Sequence, residues 1–181
     1  MKELVATRNM EYPDQELYNF VLKEMKKRNI NKKTVGEAVY ELQHQYFPNL
    51  KPEDFGKELP KVLKKREVLN LLATGFVLDN LATEKKLPEP YQQIVENDLG
   101  QFGVDETLAI AVSQLYGSLG NTNFGYGDKV KVGWAKNLDT DTKHNRVNTF
   151  ADDLFLALVS GVVGRFGHGR PLKMSGEEEI Q

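Results

Sequence analysis

The chain has 181 residues, 24 Lys and Arg against 26 Asp and Glu, 40% apolar residues and no cysteine, the profile of one globular domain. The lack of cysteine excludes a disulfide framework, a zinc finger, an iron–sulfur site and a thiolate nucleophile, and three scattered histidines leave a metal only oxygen ligands. A net charge of −2 is not the basic footprint of a protein that neutralises many phosphates, so nucleic acid is not an expected partner.

The first ten residues are charged and polar and lack a secretory pattern, which points to the cytosol. Pro13 and Asp14 open a stretch where Leu17, Phe20, Val21 and Met25 recur at helical spacing, with Lys23, Lys26, Lys27 and Arg28 toward its end; an amphipathic helix is predicted. Thr34 and Glu37 have the spacing of a capping box, which predicts a second helix through Val39, Leu42 and Tyr46 until Pro48 stops it. Pro52 and Pro60 stand at first-turn positions of further helices. Residues 63–81 carry Val68, Leu71, Leu72, Phe76, Leu78 and Leu81 without alternation and predict one long, largely buried helix. A shorter helix over 89–98 is closed by Gly100, and Gly103 turns the chain into another over 105–115.

Gly117, Gly120, Gly125 and Gly127 then fall close together among Asn121, Asn123, Phe124 and Tyr126, and fit either a closely packed helix or an irregular loop. Residues 131–147 are polar and read as the long loop of the domain. Thr149 is positioned to cap a last apolar helix that starts at Asp152 and Asp153 and runs through Leu154, Phe155, Leu158, Val159, Val162 and Val163. Its apolar run is far shorter than the ~20 residues of a spanning helix. Residues 176–179 read as a solvated tail. With no repeat and no strand pattern, the expected fold is all-α: a single-domain bundle of about six or more helices around a central buried helix.

Acidic groups crowd residues 94–153, where nine Asp and Glu face five Lys and Arg. Asp105 and Glu106, then Asp128, then Asp152 and Asp153 stand at the edges of strongly apolar helices. Two readings fit these acids. Each is a first-turn charge favoured by the helix dipole, or together they are oxygen ligands for a hard divalent cation that keeps water for a phosphorylated substrate. Asp128 and Lys131 share a helix face at a spacing of three, as a metal-bound carboxylate beside a phosphate-binding lysine or as an ordinary ion pair. Asp139-Thr140-Asp141-Thr142 has the look of a haloacid dehalogenase motif, but no apolar strand precedes it and Lys143 stands where Thr or Val is needed; it reads as a turn. The glycines of 117–127 lack the ending of a P-loop, and neither His44 nor His168 has a Ser or carboxylate partner at a catalytic spacing.

Four fragments in series carry a resemblance: Glu96-Asn97-Asp98, Gly103-Val104-Asp105-Glu106, Asn121-Thr122-Asn123-Phe124-Gly125-Tyr126 with Asp128 and Lys131, and Thr149-Phe150-Ala151-Asp152-Asp153. In this order they resemble the phosphatidylglycerophosphatase A family, in its soluble Gram-positive branch, over residues 95–168. The resemblance implies a magnesium-dependent phosphomonoesterase, with manganese as a substitute, that converts phosphatidylglycerophosphate to phosphatidylglycerol. It implies Asp105, Glu106, Asp128, Asp152 and Asp153 as metal ligands, these with Lys131 as the catalytic set, and Lys131, Lys129 and Asn123 as substrate contacts. A phospholipid head group and a second copy of the chain are the implied partners.

Membrane-bound members of that family have an N-terminal glycine-proline segment and several spanning helices, which this chain lacks. Contact with lipid is therefore expected from the water side, peripheral to the inner face of the membrane, with the basic stretch 23–33 as its means. Gly125 and Val132 stand where members carry an Arg and a Pro, and losing that Arg removes a bidentate phosphate contact, which implies a shifted substrate or lower activity. Two other classes share parts of the pattern. One is an all-α nucleotide pyrophosphohydrolase, whose Glu-x-x-Glu is absent here; the other is a non-enzymatic cation-binding or assembly protein.

Overall fold

Apolar residues at three- and four-residue spacing give helices throughout the computed structural model, which describes residues 11–139 and 145–167 and holds no strand among them. The helices are α1 (Asp14–Lys27), α2 (Lys32–Gln43), α3 (Pro52–Gly56), α4 (Leu59–Val62), α5 (Arg66–Thr83), α6 (Tyr91–Glu96), α7 (Val104–Gln114), α8 (Gly117–Val130), α9 (Ala135–Asp139) and α10 (Ala151–Gly167). Pro52 and Pro60 both lie in the first turn of their helices, where a missing N–H costs nothing. No helix among the described residues is long and apolar enough to cross a membrane.

The centre of the bundle is α10. Every residue from 151 to 164 is buried, and α2, α4, α5, α7, α8 and α9 all pack on it. The stretch 63–81, expected to be the buried centre, instead forms α5 from Arg66 onward and buries one stripe through Val68, Leu72 and Phe76. The difference lies in the opposite face. Arg66, Asn70 and Thr74 keep one side of α5 in water, whereas between Leu154 and Val163 the only polar side chain is Ser160, whose hydroxyl donates to the Leu156 carbonyl at 2.8 Å.

Other starts and stops move for local reasons. Asn31 caps α2, its Oδ1 accepting from the Lys33 and Thr34 amides at 2.9 and 3.1 Å, while the Thr34 hydroxyl accepts from the Asn31 amide at 3.0 Å. Thr34 is therefore the far partner of the capping box and not the cap. The glycine-rich stretch is helical: a Cβ at Gly120 would come within 2.2 Å of the Ser113 carbonyl oxygen, so the close approach of α7 and α8 outweighs the poor helix propensity of glycine. Within the expected long loop, buried Ala135 and Leu138 anchor α9; the tail at 176–179 lies outside the described residues.

The start of α10 is capped from another helix. Asp79 on α5 is fully buried, and its Oδ1 accepts from the Phe150 amide at 3.0 Å. Thr149, expected to be the cap, donates its hydroxyl to the Val95 carbonyl at 2.6 Å and so ties α10 to α6. Burial pushes the Asp79 carboxyl well above the usual range, against the opposing pull of Arg28 and of the Phe150 amide. Arg28 belongs to a second buried polar group: it donates to Glu24 at 2.9 Å and to Asn80 at 3.0 Å, and stacks 4.8 Å over the Phe76 ring. Burial works against the Glu24 charge, but hydrogen bonds from Lys27, Asn80 and Arg28 prevail and hold its pKa down.

Two expected outcomes follow from this packing. Tyr116, at the corner between α7 and α8, lies on α10 at Gly164, where a Cβ would sit 2.7 Å from the Tyr116 Cβ and 3.1 Å from its carbonyl oxygen. Gly164→Ala gains about 1 kcal/mol of helix propensity but overpacks against backbone that cannot yield, typically ~1–3 kcal/mol, so the variant unfolds at lower denaturant than wild type. Asp79→Asn has the opposite sign. A carboxyl whose folded pKa is raised contributes stability that is fully present below the unfolded pKa of about 4 and is lost as pH rises. The uncharged amide escapes that loss, so at pH 7 the variant is the more stable, and denaturation curves at falling pH converge toward wild type near pH 4.

Candidate active site

Three segments far apart in the chain meet at one cleft. The first turn of α7 brings Asp105 and Glu106, the last turn of α8 brings Asp128 with Lys131 just beyond it, and the first turn of α10 brings Asp152 and Asp153. These six side chains line a cleft of about 280 Å³, walled on the remaining side by residues 98–103. The first-turn reading holds for Asp105, Glu106, Asp152 and Asp153 but not for Asp128, which stands in the last turn of α8, and all five meet at one place. Because α7 and α10 both begin at the cleft, their positive ends add an anion-favouring field to a ring of carboxylates.

Lys131 is the hub. Its Nζ donates to Asp128 Oδ1 and Asp152 Oδ2, each at 2.8 Å, and to Asp153 Oδ1 at 3.4 Å. The residue is not on the helix but closes it in the left-handed region, φ 49° and ψ 66°, with its amide bonded to the Asp128 carbonyl and the Val132 amide to that of Gly127. That conformation costs a non-glycine residue roughly 1–2 kcal/mol. Losing the partner of a half-buried charge costs about 1–3 kcal/mol, so pairing is enough to offset the strain. The opposite wall is also built from left-handed positions, Asp98 at φ 46°, Gln101 at φ 70° and Gly103 at φ 66°, which fold residues 98–103 tightly into the start of α7. Phe102 pins this turn, edge-on to Phe150 at 5.8 Å and to Tyr91 at 5.6 Å.

The electrostatics are strained toward negative charge. Asp152 and Asp153 are each 3% exposed; burial pushes both carboxyls up, and for Asp153 the neighbouring Asp152 charge adds to the effect while Lys131 opposes it. For Lys131 itself burial works against the ammonium, but Asp152, Asp128 and Asp153 outweigh it and raise its pKa. Asp105 is buried, and its Oδ1 has no hydrogen-bond partner in the protein. Six carboxyl groups, Asp98 among them, face one lysine in the cleft, and oxygen donors of this kind are those that magnesium or manganese prefers. Among the described residues no three acidic or histidine side chains are grouped closely enough to hold a metal ion together, the Lys131 ammonium lying between the carboxylates instead.

Two expected substrate contacts are elsewhere. Lys129 is exposed and does not line the cleft. Asn123 lies in a groove between the end of α2 and α8, its amide donating to the Leu119 carbonyl at 2.8 Å and its Oδ1 accepting from Gln43 at 3.0 Å. In the basic stretch 23–33, Lys23, Lys26, Lys27, Lys32 and Lys33 are exposed, but Arg28 is only 3% exposed and serves the buried group around Glu24. His44 stacks on Tyr40 at 5.2 Å and contacts its carbonyl, while His168 and residues 140–143 lie outside the described residues.

Sequence reasoning passed over Asp79 and did not rank Asp98 as a site residue. Asp79 had a signal: it falls on the stripe Val68, Leu72, Phe76, Asp79 and Ala82, where a carboxylate is out of place unless it has buried work. Asp98 stands at the cleft and at a neighbouring cavity, which no spacing in the chain announces.

The chain is 41% identical over 144 residues to the uncharacterized protein YutG and 38% identical over 157 residues to the uncharacterized protein YpjQ, both of Bacillus subtilis (strain 168). These alignments cover 80% and 87% of this chain and 86% and 88% of the relatives. The crystal structure of YpjQ superposes with a TM-score of 0.81 at 37% identity, covering 87% of this chain and 97% of that one. The low temperature requirement C protein from Listeria monocytogenes gives a TM-score of 0.79 at 36% identity, over 84% of this chain and 96% of that one. The match to Phosphatidylglycerophosphatase A spans residues 30–168 and takes in every acidic residue of the cleft, and the chain belongs to that family.

Proposed function

We propose that the protein is a divalent-cation-dependent phosphomonoesterase that removes the terminal phosphate of phosphatidylglycerophosphate. The observation that carries this reading is the convergence of Asp105, Glu106, Asp128, Asp152 and Asp153 around Lys131 in one cleft, with Asp105 Oδ1 buried and unpartnered. Family membership supports the reaction type, and the all-oxygen donor set supports magnesium or manganese over zinc.

Asp105, Glu106, Asp128, Asp152 and Asp153 would hold the cation, which when bound supplies charge neutralisation at phosphoryl oxygens and a more acidic water. The chain's own groups do the rest. Lys131 offers its ammonium to a phosphoryl oxygen in exchange for a carboxylate, a charge-assisted hydrogen bond of the same kind. The first-turn amides of α7 and α10 add their dipoles to the phosphate's binding. Asp153, pushed up by burial and by the Asp152 charge, is a carboxylate whose ionised form a bound cation would favour. The wall at 98–103 orients the ester for in-line displacement.

Phosphate release from phosphatidylglycerophosphate in detergent micelles, with magnesium and with chelator, tests the reading; no release above the chelator control overturns it. Asp153→Asn is expected to reduce release by at least about 100-fold with the melting temperature unchanged or higher, since crowded acids repel each other without a cation. The magnesium-induced rise in melting temperature that marks binding to the folded state is expected to disappear with it. A rise equal to that of wild type means that Asp153 is outside the metal site. Lys131→Gln is expected to cost about 1–3 kcal/mol in the absence of magnesium, less than a fully buried pair because the lysine is half-buried, and to show a larger magnesium-induced rise than wild type, because ammonium and cation compete for the same carboxylates.

A further inference from the structure

A second cavity of about 350 Å³ adjoins the acidic cleft and shares Asp98 and Asp152 with it. A phosphate ester whose phosphoryl group sits in the cleft can therefore extend its alcohol portion into this second space. The chemistry of the walls is specific. Asn97, Asn145 and Asn148 line it with carboxamides, Lys85 is paired there with Glu96, Arg146 adds a guanidinium whose Nη1 donates to the Lys27 carbonyl at 2.6 Å and whose other N–H groups remain to meet a ligand, and none of the described lining residues is aromatic. Carboxamides that both donate and accept match hydroxyls, while the lack of a ring to stack on disfavours an aryl ester.

Asn148 adds an independent observation. It is only 7% exposed, and its Nδ2 donates to the Leu138 carbonyl at 3.1 Å, which fixes the amide's orientation. That leaves Oδ1 as a buried acceptor with no partner in the protein, in a residue that lines the cavity and within a small side-chain shift of it. A hydroxyl donor is the group that would satisfy it. The size fits a three-carbon polyol with one further group attached and does not fit a pair of acyl chains.

We infer that this cavity is the subsite for the polyol portion of a phosphate monoester, its hydroxyls received by the asparagine carboxamides and a second, anionic group on the polyol met by Arg146. The inference rests on the phosphatase reading of the adjoining cleft and adds what selects the alcohol side of the ester. The lipid head group and its free, deacylated form share this chemistry.

The test compares three phosphate esters in magnesium: the deacylated glycerophosphoglycerol phosphate, the same head group on lipid in detergent micelles, and p-nitrophenyl phosphate, which has no polyol. The variants are Arg146→Gln and Asn145→Gly, the latter tolerated by a backbone at φ +47°. The expected result is a fall of about tenfold in the ratio of kcat/KM for the polyol esters over p-nitrophenyl phosphate, carried by KM. A fall with both forms means that the head group itself is read, and a fall with the lipid alone identifies the membrane-borne ester as the ligand. Ratios within twofold of wild type in both variants overturn the inference. If wild type hydrolyses none of the three, the phosphatase reading fails by itself. Calorimetric titration of the deacylated head group then decides the subsite: weaker binding to Arg146→Gln supports it, and equal binding to both proteins overturns it.

Discussion

A helix buried on every side has to begin somewhere, and α10 begins with two carboxylates inside the protein. Its first-turn amides need acceptors and its acids need positive charge, and water can supply neither in quantity. Asp79 from α5 meets the amide at Phe150, and Lys131 from the end of α8 meets Asp152 and Asp153. The placement of α5 and α8 is thus tied to the chemistry at the head of α10. Thr149, bonded to the Val95 carbonyl, brings α6 into the same arrangement.

These compensations are incomplete in a way that marks the site. Asp79 Oδ2 and Asp105 Oδ1 are buried acceptors without protein partners, and the Asp152 and Asp153 carboxyls are pushed up even with Lys131 beside them. A protein selected for stability alone would replace such groups with well-packed apolar ones, often at no loss. Their persistence beside a left-handed lysine is the combination of strain and excess charge that functional sites concentrate. The group of Glu24, Arg28 and Asn80 differs in charge: apart from Arg28 Nε its donors and acceptors meet across α1 and α5, carboxylate against guanidinium, and it joins those helices away from the cleft.

The periodicity of apolar residues made the helices legible, because each one buries a stripe or a full circumference. Rank within the bundle was harder to read. Residues 63–81 are longer and richer in leucine, but the polar face that keeps α5 at the surface is sparse, and the all-round apolarity of α10 had to be weighed along its whole turn. The caps at Thr34 and Thr149 were misread because hydroxyls bond in several local patterns, and which one wins depends on neighbours such as Asn31 and the Val95 carbonyl. The acids of the cleft were visible as types in a spacing, and their meeting is a tertiary fact. Lys129 and Asn123 share α8 with Asp128, but the helical rotation carries them to other faces.

The indole N–H of Trp134 donates to the Arg28 carbonyl at 2.9 Å, across 106 positions of the chain. Trp134 is the only tryptophan in the sequence, it is partly buried, and it stands three residues past Lys131. One chromophore therefore joins the rigid polar group at the end of α1 to the segment that delivers the ammonium to the cleft. Its emission reports the local polarity at that joint, so any displacement of the segment after α8 would register as a change in intrinsic fluorescence. The fold carries its own optical gauge of this contact, without any attached label.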